Sequence, residues 1–412
     1  MEKTTTKTAR KPALMFLAPL ALGIALLANG ARAQQSTVEQ RLSKLEAEVG
    51  ALRQENQQLR AAGATQNIKP AAGEQFITVG GFIMAQAESG DALDSRFNGL
   101  APNDRVYLRR ARIILGGHFA EGFDFKLAAE MAGSFGDSNG AMRGQLADGF
   151  VSWTKFPEIN LTIGQFKSGF GYEFLYNDAT LCTIEHALVS DLLTLNRQIG
   201  IQASGALLGS RLTYALGVYN GNAVNNNVND NNQFLHTARL AGVPVKTKIP
   251  SLNWDAAWTI GANAYRSTDG AVTLPAGILP GTAFSGRRTG LGVDTQLAAG
   301  PFALWFEYLT AKYEPTAAAN KTTVNGWYLQ GAWTFVPKKW QAVARYDTFS
   351  PEARVSANKA NTWTLGVNYF IKGDDLKLML DYVTSTPGTR AGNIYQESGR
   401  ANRLLLRAQA QF

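Results

Sequence analysis

The sequence predicts an all-β protein: a transmembrane antiparallel β-barrel of about sixteen strands, preceded by a short N-terminal coiled-coil helix. Three observations carry that expectation. From Gln75 to Phe412 apolar and polar residues alternate with period two, in stretches separated by short turns and longer polar loops. The first residues read as an export signal. After them no apolar run approaches the roughly 20 residues of a spanning helix, although the chain is rich in Gly, Tyr, Phe and Trp and only 17% charged. A lipid-exposed backbone must satisfy its N–H and C=O groups within a helix or a closed sheet, so an exported membrane protein without spanning helices points to a barrel.

The signal begins with Lys3, Lys7, Arg10 and Lys11, continues through an apolar stretch from Ala13 to Ala28 broken at Pro19 and Gly23, and ends in Ala31-Arg32-Ala33. A basic start, an apolar centre and a small-x-small site describe a signal peptide over 1–33, with the mature chain starting near Gln34. The competing reading, a membrane anchor, needs a longer apolar run. The full chain carries 40 basic and 32 acidic residues; removing 1–33 takes five and one of these, leaving 35 against 31 and a net charge of about +4. The high pI therefore owes much to the signal, no K/R-rich cluster appears elsewhere, and a nucleic-acid partner is not expected.

Residues 34–60 form the expected helix. Val38, Leu42, Leu45, Val49, Leu52, Asn56 and Leu59 keep an unbroken 4-3 spacing between charged and amide residues, the seam of a coiled coil. So polar a helix is marginal alone and implies partner helices, most simply from other copies of the chain. Asn56 at an a position fixes register and leans toward a dimer, leaving dimer or trimer open. Residues 61–74 read as a linker and 75–412 as the barrel.

Strands are expected near 76–87, 105–119, 123–133, 146–156, 159–168, 197–207, 210–219, 235–245, 252–266, 288–299, 301–313, 324–336, 339–348, 361–371, 376–385 and 402–412. The last three show the pattern best. Trp363, Leu365, Val367 and Tyr369 share one face; Leu376, Leu378, Leu380 and Tyr382 alternate with Lys377, Met379, Asp381 and Val383; Leu404, Leu406, Ala408 and Ala410 alternate with Arg403, Leu405, Arg407 and Gln409. A soluble sandwich has the same period, but an aromatic at the end of the final strand favours a membrane barrel. Sixteen strands also leave a water-filled lumen.

The segment Gly169 to Asn196 breaks the regular spacing. It mixes apolar and charged residues, carries a helix-like piece around Thr183 to Leu195, and follows the fifth strand, where a loop folding inward would narrow the pore. Asn220 to Gln233 reads as an outer loop.

Period two also assigns faces. With Ala111, Ile113 and Leu115 toward lipid, Arg110 and Arg112 point into the lumen and Arg109 falls near the interface. Lys126 and Glu130, Arg345 and Asp347, and Arg403 and Arg407 likewise point inward, since a charge against lipid at the midplane costs about 2–4 kcal/mol. Rows of basic residues along a pore favour anions, and the planar Arg fork suits phosphate. Alternatively these cations pair with Glu130, Asp347 and Asp381 and select nothing. No metal site is expected: His118, His186 and His236 are scattered, without ligand spacing. Cys182, the only cysteine, excludes an internal disulfide and reads as a free thiol. With no Ser/His or Asp/His pair on one face, no catalytic residue and no cofactor are expected, so an outer-membrane enzyme is the weaker reading.

The chain resembles the phosphate-selective porins O and P. The resemblance is carried, in order, by the short coiled coil, Arg109-Arg110-Ala111-Arg112, Gly164-Gln165-Phe166-Lys167-Ser168-Gly169-Phe170-Gly171 with Glu173, Asn196-Arg197-Gln198-Ile199-Gly200, Ala344-Arg345-Tyr346-Asp347, Leu365-Gly366-Val367-Asn368-Tyr369 and the Arg-x-Gln-x-Gln-Phe ending. It implies a homotrimer of sixteen-stranded barrels, an inward third loop, and an arginine ladder to which Arg110, Arg112, Arg197 and Arg345 would belong. The family's pattern also places lysines near the constriction. Here the chain departs from it: between Gly169 and Asn196 the charged residues are Glu173, Asp178, Glu185 and Asp191, with no Arg or Lys. The resemblance thus implies a pore without assigning its substrate.

Taken together, the residues suggest a passive outer-membrane porin for small hydrophilic solutes, favouring anions such as phosphate or polyphosphate, with the coiled coil in the periplasm. Lipid and lipopolysaccharide would surround it, and peptidoglycan is a conceivable periplasmic partner. The alternatives are a general, weakly selective porin and a structural tether between outer membrane and cell wall.

Overall fold

The computed structural model describes residues 75–90, 104–132, 142, 144–275, 278, 283–317, 321–353, 356–386 and 401–412. The segments read above as signal peptide, coiled coil and linker lie outside them. The described residues form sixteen strands: β1 (Phe76–Gly90), β2 (Arg105–Ala120), β3 (Phe123–Glu130), β4 (Gln145–Phe156), β5 (Ile159–Lys167), β6 (Arg197–Leu207), β7 (Leu212–Tyr219), β8 (Leu235–Ile249), β9 (Trp254–Thr273), β10 (Ala283–Ala299), β11 (Phe302–Pro315), β12 (Thr322–Val336), β13 (Trp340–Ser350), β14 (Ala360–Lys372), β15 (Leu376–Thr386) and β16 (Ala401–Gln411). Each pairs antiparallel with its neighbours in sequence, and β16 pairs with β1 to close the barrel.

At the seam Phe82 faces Gln411 and Gly90 faces Arg403. Gly81 and Phe412 exchange both backbone hydrogen bonds at 3.0 Å, so the ladder runs to the final residue. A Cβ on Gly81 would sit 2.3 Å from the Arg112 carbonyl oxygen, which is why glycine stands there.

Period two sorts the side chains as lipid requires. On β16 Leu406 is 50% exposed, whereas Arg407 beside it is 3% exposed. Two belts of aromatic rings bound the outer apolar surface. Near the short turns Phe302, Trp333, Phe335, Trp340 and Tyr369 form a chain with centroids 4.6 to 6.5 Å apart. Toward the long loops Phe306, Trp327, Tyr346 and Trp363 form a second chain. Along β12, β13 and β14 the belts are six residues apart, about 20 Å of strand, close to the apolar height of outer-membrane barrels.

Three strands run four to seven residues further than the sequence suggests. β8 continues to Ile249, β9 spans 20 residues to Thr273, and β10 begins at Ala283. Apolar alternation lapses over Ser267 to Gly270, but backbone pairing needs no lipid, and Asp269 still faces Gly286.

The loop between β5 and β6 turns into the barrel. It contains helix α1 (Tyr172–Leu175), a 3-10 turn at Asp178–Thr180 and helix α2 (Leu188–Leu193). The helix is shorter than the stretch from Thr183 to Leu195 suggested. The wall takes the backbone groups ahead of it: the Ile184 amide donates to Asp381 at 2.7 Å, and Arg345 donates to the carbonyls of Glu185 and His186. Leu188, Val189, Leu192 and Leu193 are buried in one cluster with Leu309, Val324, Tyr328 and Phe349 from the inner wall. This apolar inner face toward the long loops gives the loop's leucines a place to leave water.

The facing rule yields a quantitative expectation. Leu406→Arg, on the lipid side of β16, is expected to cost about 2–4 kcal/mol in urea-induced unfolding from lipid vesicles, with the higher figure at the midplane. An unchanged unfolding midpoint would contradict the assignment of faces.

Candidate functional site

Inside the barrel, four loop carboxylates meet a wall carrying most of the basic residues. Glu185 is the most heavily engaged. Arg109 grips it with two hydrogen bonds of 2.9 Å, and Arg407 and Gln86 donate to the same carboxylate at 2.9 and 3.1 Å. Asp178 lies 3.2 Å from Arg110, 3.3 Å from Arg112 and 3.8 Å from Lys167. Glu173 sits 3.4 Å from Arg345 and accepts from the Ala187 amide. Asp191 lies 3.4 Å from His186 of the same loop. Burial alone would raise the Glu185 carboxyl, but Arg109 and Arg407 hold it well below the ordinary carboxylate range. Burial also opposes ionisation of Asp178, and Arg110, Lys167 and Arg112 again prevail.

Arg109 corrects the sequence reading, which placed it near the lipid interface. Met84 faces Arg110 while Ala85 faces Leu108, so Arg109 is the extra residue of a β-bulge. The bulge turns Arg109 inward beside Arg110, both pointing to the same side of the strand. Two adjacent arginines inside a spanning strand were the available signal, since strict alternation would strand one in lipid.

The other inward cations are matched by acids of the wall. Arg112 donates to Glu130 at 3.0 Å. Lys126 and Arg197 both hold Asp148, at 2.9 and 2.6 Å. Arg345 lies 3.4 Å from Asp347. Arg403 is buried beside Asp347, Asp381 and Glu185 around a cavity of about 20 Å³, room for about one water. Cys182 is packed under the loop, its carbonyl receiving Asn368 and its sulfur receiving Gln330, while burial pushes the thiol up to about 12. A thiol held protonated is a poor nucleophile.

The charges divide by side. Against β13 to β16 and the bulge of β2, Arg109, Arg345, Lys377, Arg403 and Arg407 meet Glu173, Glu185, Asp347, Asp374 and Asp381, five of each sign. Along β2 to β6, Arg110, Arg112, Lys126, Lys167 and Arg197 meet Glu130, Asp148 and Asp178, while Asp124 on β3 holds His118 at 2.9 Å. Where this wall faces open space, Arg112, Lys126, Lys167 and Arg197 against Asp148 and Asp178 leave a net charge of +2. That second wall bounds a cavity of about 360 Å³ closed on its far side by Tyr176, Asn177 and Asp178 of the loop. Sequence reading missed Asp148 and Lys167 as members of it. A register shift at Ala128 and Ala129 carries Asp148 inward. Lys167 ends β5, where the chain is already turning into the lumen, and donates to the Tyr176 carbonyl at 2.6 Å. Among the described residues no cluster of His, Cys, Asp and Glu has the form of a metal site.

The sequence profile of a family described as phosphate-selective porin O and P matches residues 85–412. The chain belongs to this family. It is an outer-membrane porin. Solved structures of similar fold include the outer membrane channel DcaP of Acinetobacter baumannii, 16% identical with a TM-score of 0.54, the match covering 84% of this chain and 99% of that one. OmpT of Vibrio cholerae, described in a trimer form, is 10% identical with a TM-score of 0.56 over 82% and 99%. OprB of Pseudomonas putida is 12% identical with a TM-score of 0.54 over 83% and 94%. No curated protein matches the chain. At these identities the structural likeness concerns the fold alone.

The Glu185 clasp is expected to dominate docking of the inward loop. Glu185→Gln leaves Arg109 and Arg407 short of a counter-charge and should cost about 3–5 kcal/mol, read as earlier unfolding in denaturant and faster proteolysis within 169–196; unchanged protection would remove the clasp from the account. Acid should act late. A carboxylate depressed in the folded state stabilises above its unfolded value, about 4.3 for Glu, and loses that contribution as pH falls toward the depressed one. Proteolytic protection of the loop should hold from pH 7 to pH 5 and fall only below about pH 4.

Proposed function

We propose that this porin passes small hydrophilic solutes by passive diffusion and favours anions. The observation that carries the reading is the net +2 of the β2 to β6 wall at the 360 Å³ cavity, where Lys126 is 36% exposed at the side chain and therefore open to a passing ion. Anions entering there exchange part of their hydration for Lys126, Lys167 and Arg197, and excess positive charge at a low-dielectric wall raises their local concentration. The roles assigned to Arg110, Arg112, Arg345, Arg403 and Arg407 are those of a ladder whose charge is largely matched, so they shape the field around that wall. Phosphate or polyphosphate are the anions that the Arg forks and the family's description favour.

A second reading, a general and weakly selective porin, is favoured by the loop. Its Glu173, Asp178 and Glu185 neutralise the arginines opposite, in a segment without Arg or Lys. In either case we propose a homotrimer, as described for OmpT of Vibrio cholerae, with the helix of 34–60 joining three copies on the periplasmic side.

The test is single-channel conductance in a planar bilayer, with the reversal potential under a salt gradient, for the porin and for Lys126→Glu. Anion selectivity is expected in the parent. The substitution takes the wall from +2 to 0 and should lower the anion-to-cation ratio several-fold. Block by added phosphate would name the substrate. A parent without anion preference leaves the general porin, and a ratio unmoved by Lys126→Glu removes this wall from the mechanism.

A further inference from the structure

The outer face of the barrel changes character at one place. On β12, β14, β15 and β16 the outward rows carry Asn325, Asn361, Thr384 and Asn402 toward the long loops, all neutral. On β8 to β11 they carry His236, Arg266, Arg287 and Lys312 at this level, all exposed, with Glu314 next beyond Lys312 on β11. The register sets these side by side: His236 faces Arg266, Arg266 faces Thr289, and Thr289 faces Lys312. Arg287 stands two residues beyond Thr289 on the same face of β10. Below this row the wall is apolar, through Leu240, Ala262, Ala264, Leu291 and Val293.

The balance of charge is strongly positive. Among the described residues the carboxylate in ion-pair contact with these cations is Glu314, shared by Arg287 at 2.8 Å, Lys312 at 2.9 Å and Lys321 at 2.9 Å. Arg266 has no ion-pair partner among the described residues. Arg266, Arg287, Lys312 and Lys321 against Glu314 give +3 on a patch four strands wide. Arg266 and Lys312 are two strands apart, about 10 Å, with the Thr289 hydroxyl between them: a gap the size of a phosphate group, flanked by an Arg fork and a Lys point charge.

Long loops of outer-membrane barrels face the cell exterior, so the row lies where the apolar belt gives way to the head groups of the outer leaflet. We propose that Arg266, Thr289 and Lys312, with Arg287 above them, form a binding site for a phosphorylated glycolipid head group of the outer leaflet, its acyl chains lying on the apolar wall below. The site is separate from the pore: its side chains point to lipid while the lumen cations point inward. It requires only that the barrel spans the outer membrane with its loops outward, so the anion selectivity proposed above can fail without affecting it.

The test measures binding of purified lipopolysaccharide to the full-length porin in detergent by native mass spectrometry. The forms compared are the parent, Arg266→Ala with Lys312→Ala, the length-preserving Arg266→Gln with Lys312→Gln, and Lys338→Ala with Lys339→Ala at the opposite end as an equal-charge control. Heat-modifiable gel mobility verifies folding of each. The parent and the control are expected to bind the phosphorylated lipid, and both Arg266/Lys312 pairs to bind it about tenfold more weakly or less, with conductance unchanged. Dephosphorylated lipid should bind no form better than the pairs bind the phosphorylated one. Equal binding by the folded pairs, equal binding of dephosphorylated lipid, or displacement by inorganic phosphate at matched concentration would each overturn the proposal, the last by making it a site for the free ion.

Discussion

A backbone amide in hydrocarbon has no water to turn to, and the arrangement of this protein follows from that constraint. A sheet meets it only by closing on itself, so β16 must find β1 and the ladder must run without a free edge. Closure then fixes which way each side chain points. With lipid outside, Leu404, Leu406 and Trp363 face out, and Arg403, Arg407 and Asp381 have only the interior. A lumen lined with that many charges calls for counter-charges, and the loop after β5 supplies them through Glu173, Asp178 and Glu185. The loop folds inward both because its acids are matched there and because its leucines are covered there.

Strand number and face were legible because lipid imposes a code with period two, and any row such as Leu376 to Val383 repeats it several times. The failures occur where the code is locally suspended. Arg109 was misplaced because a bulge adds a residue without altering composition, and only the partner strand reveals the shift between Met84 and Ala85. The extension of β9 past Arg266 carries no sequence signal because, beyond the membrane, pairing continues while the apolar alternation stops. The loop was recognised as inward from its mixture of apolar and charged residues. Its partners were not, because contacts such as Glu185 with Arg407 join positions 222 residues apart, and nothing local encodes them.

The departure of the loop from the family's basic constriction has a physical counterpart in the wall. A loop with lysines would repel a ladder of arginines and stand away from it; a loop with carboxylates is drawn onto it. In this chain the acids match the arginines along β13 to β16, Glu307 with Asp269 and Asp294 outnumbers Arg239 and Arg288 along β8 to β11, and the uncompensated positive charge lies along β2 to β6. Under the proposed reading, selectivity is a property of an asymmetric lumen, with one lateral side held closed by ion pairs and the β2 to β6 side bearing the field.

The seam between β1 and β16 also bears on the time course of assembly. Every other ladder in the barrel joins strands that follow one another along the chain, and such hairpins form from contacts that are near at hand. The seam brings Phe82 to Gln411 across about 330 residues of sequence, and loop-closure entropy makes so distant a meeting slow. Until it happens the molecule is a curved sheet with two raw edges, each able to recruit a strand from another copy. In the closed barrel the inward loop is tied to both sides of that seam, with Glu185 accepting from Gln86 on β1 and Arg407 on β16. The segment that narrows the lumen is therefore also a latch that holds the first and last strands together.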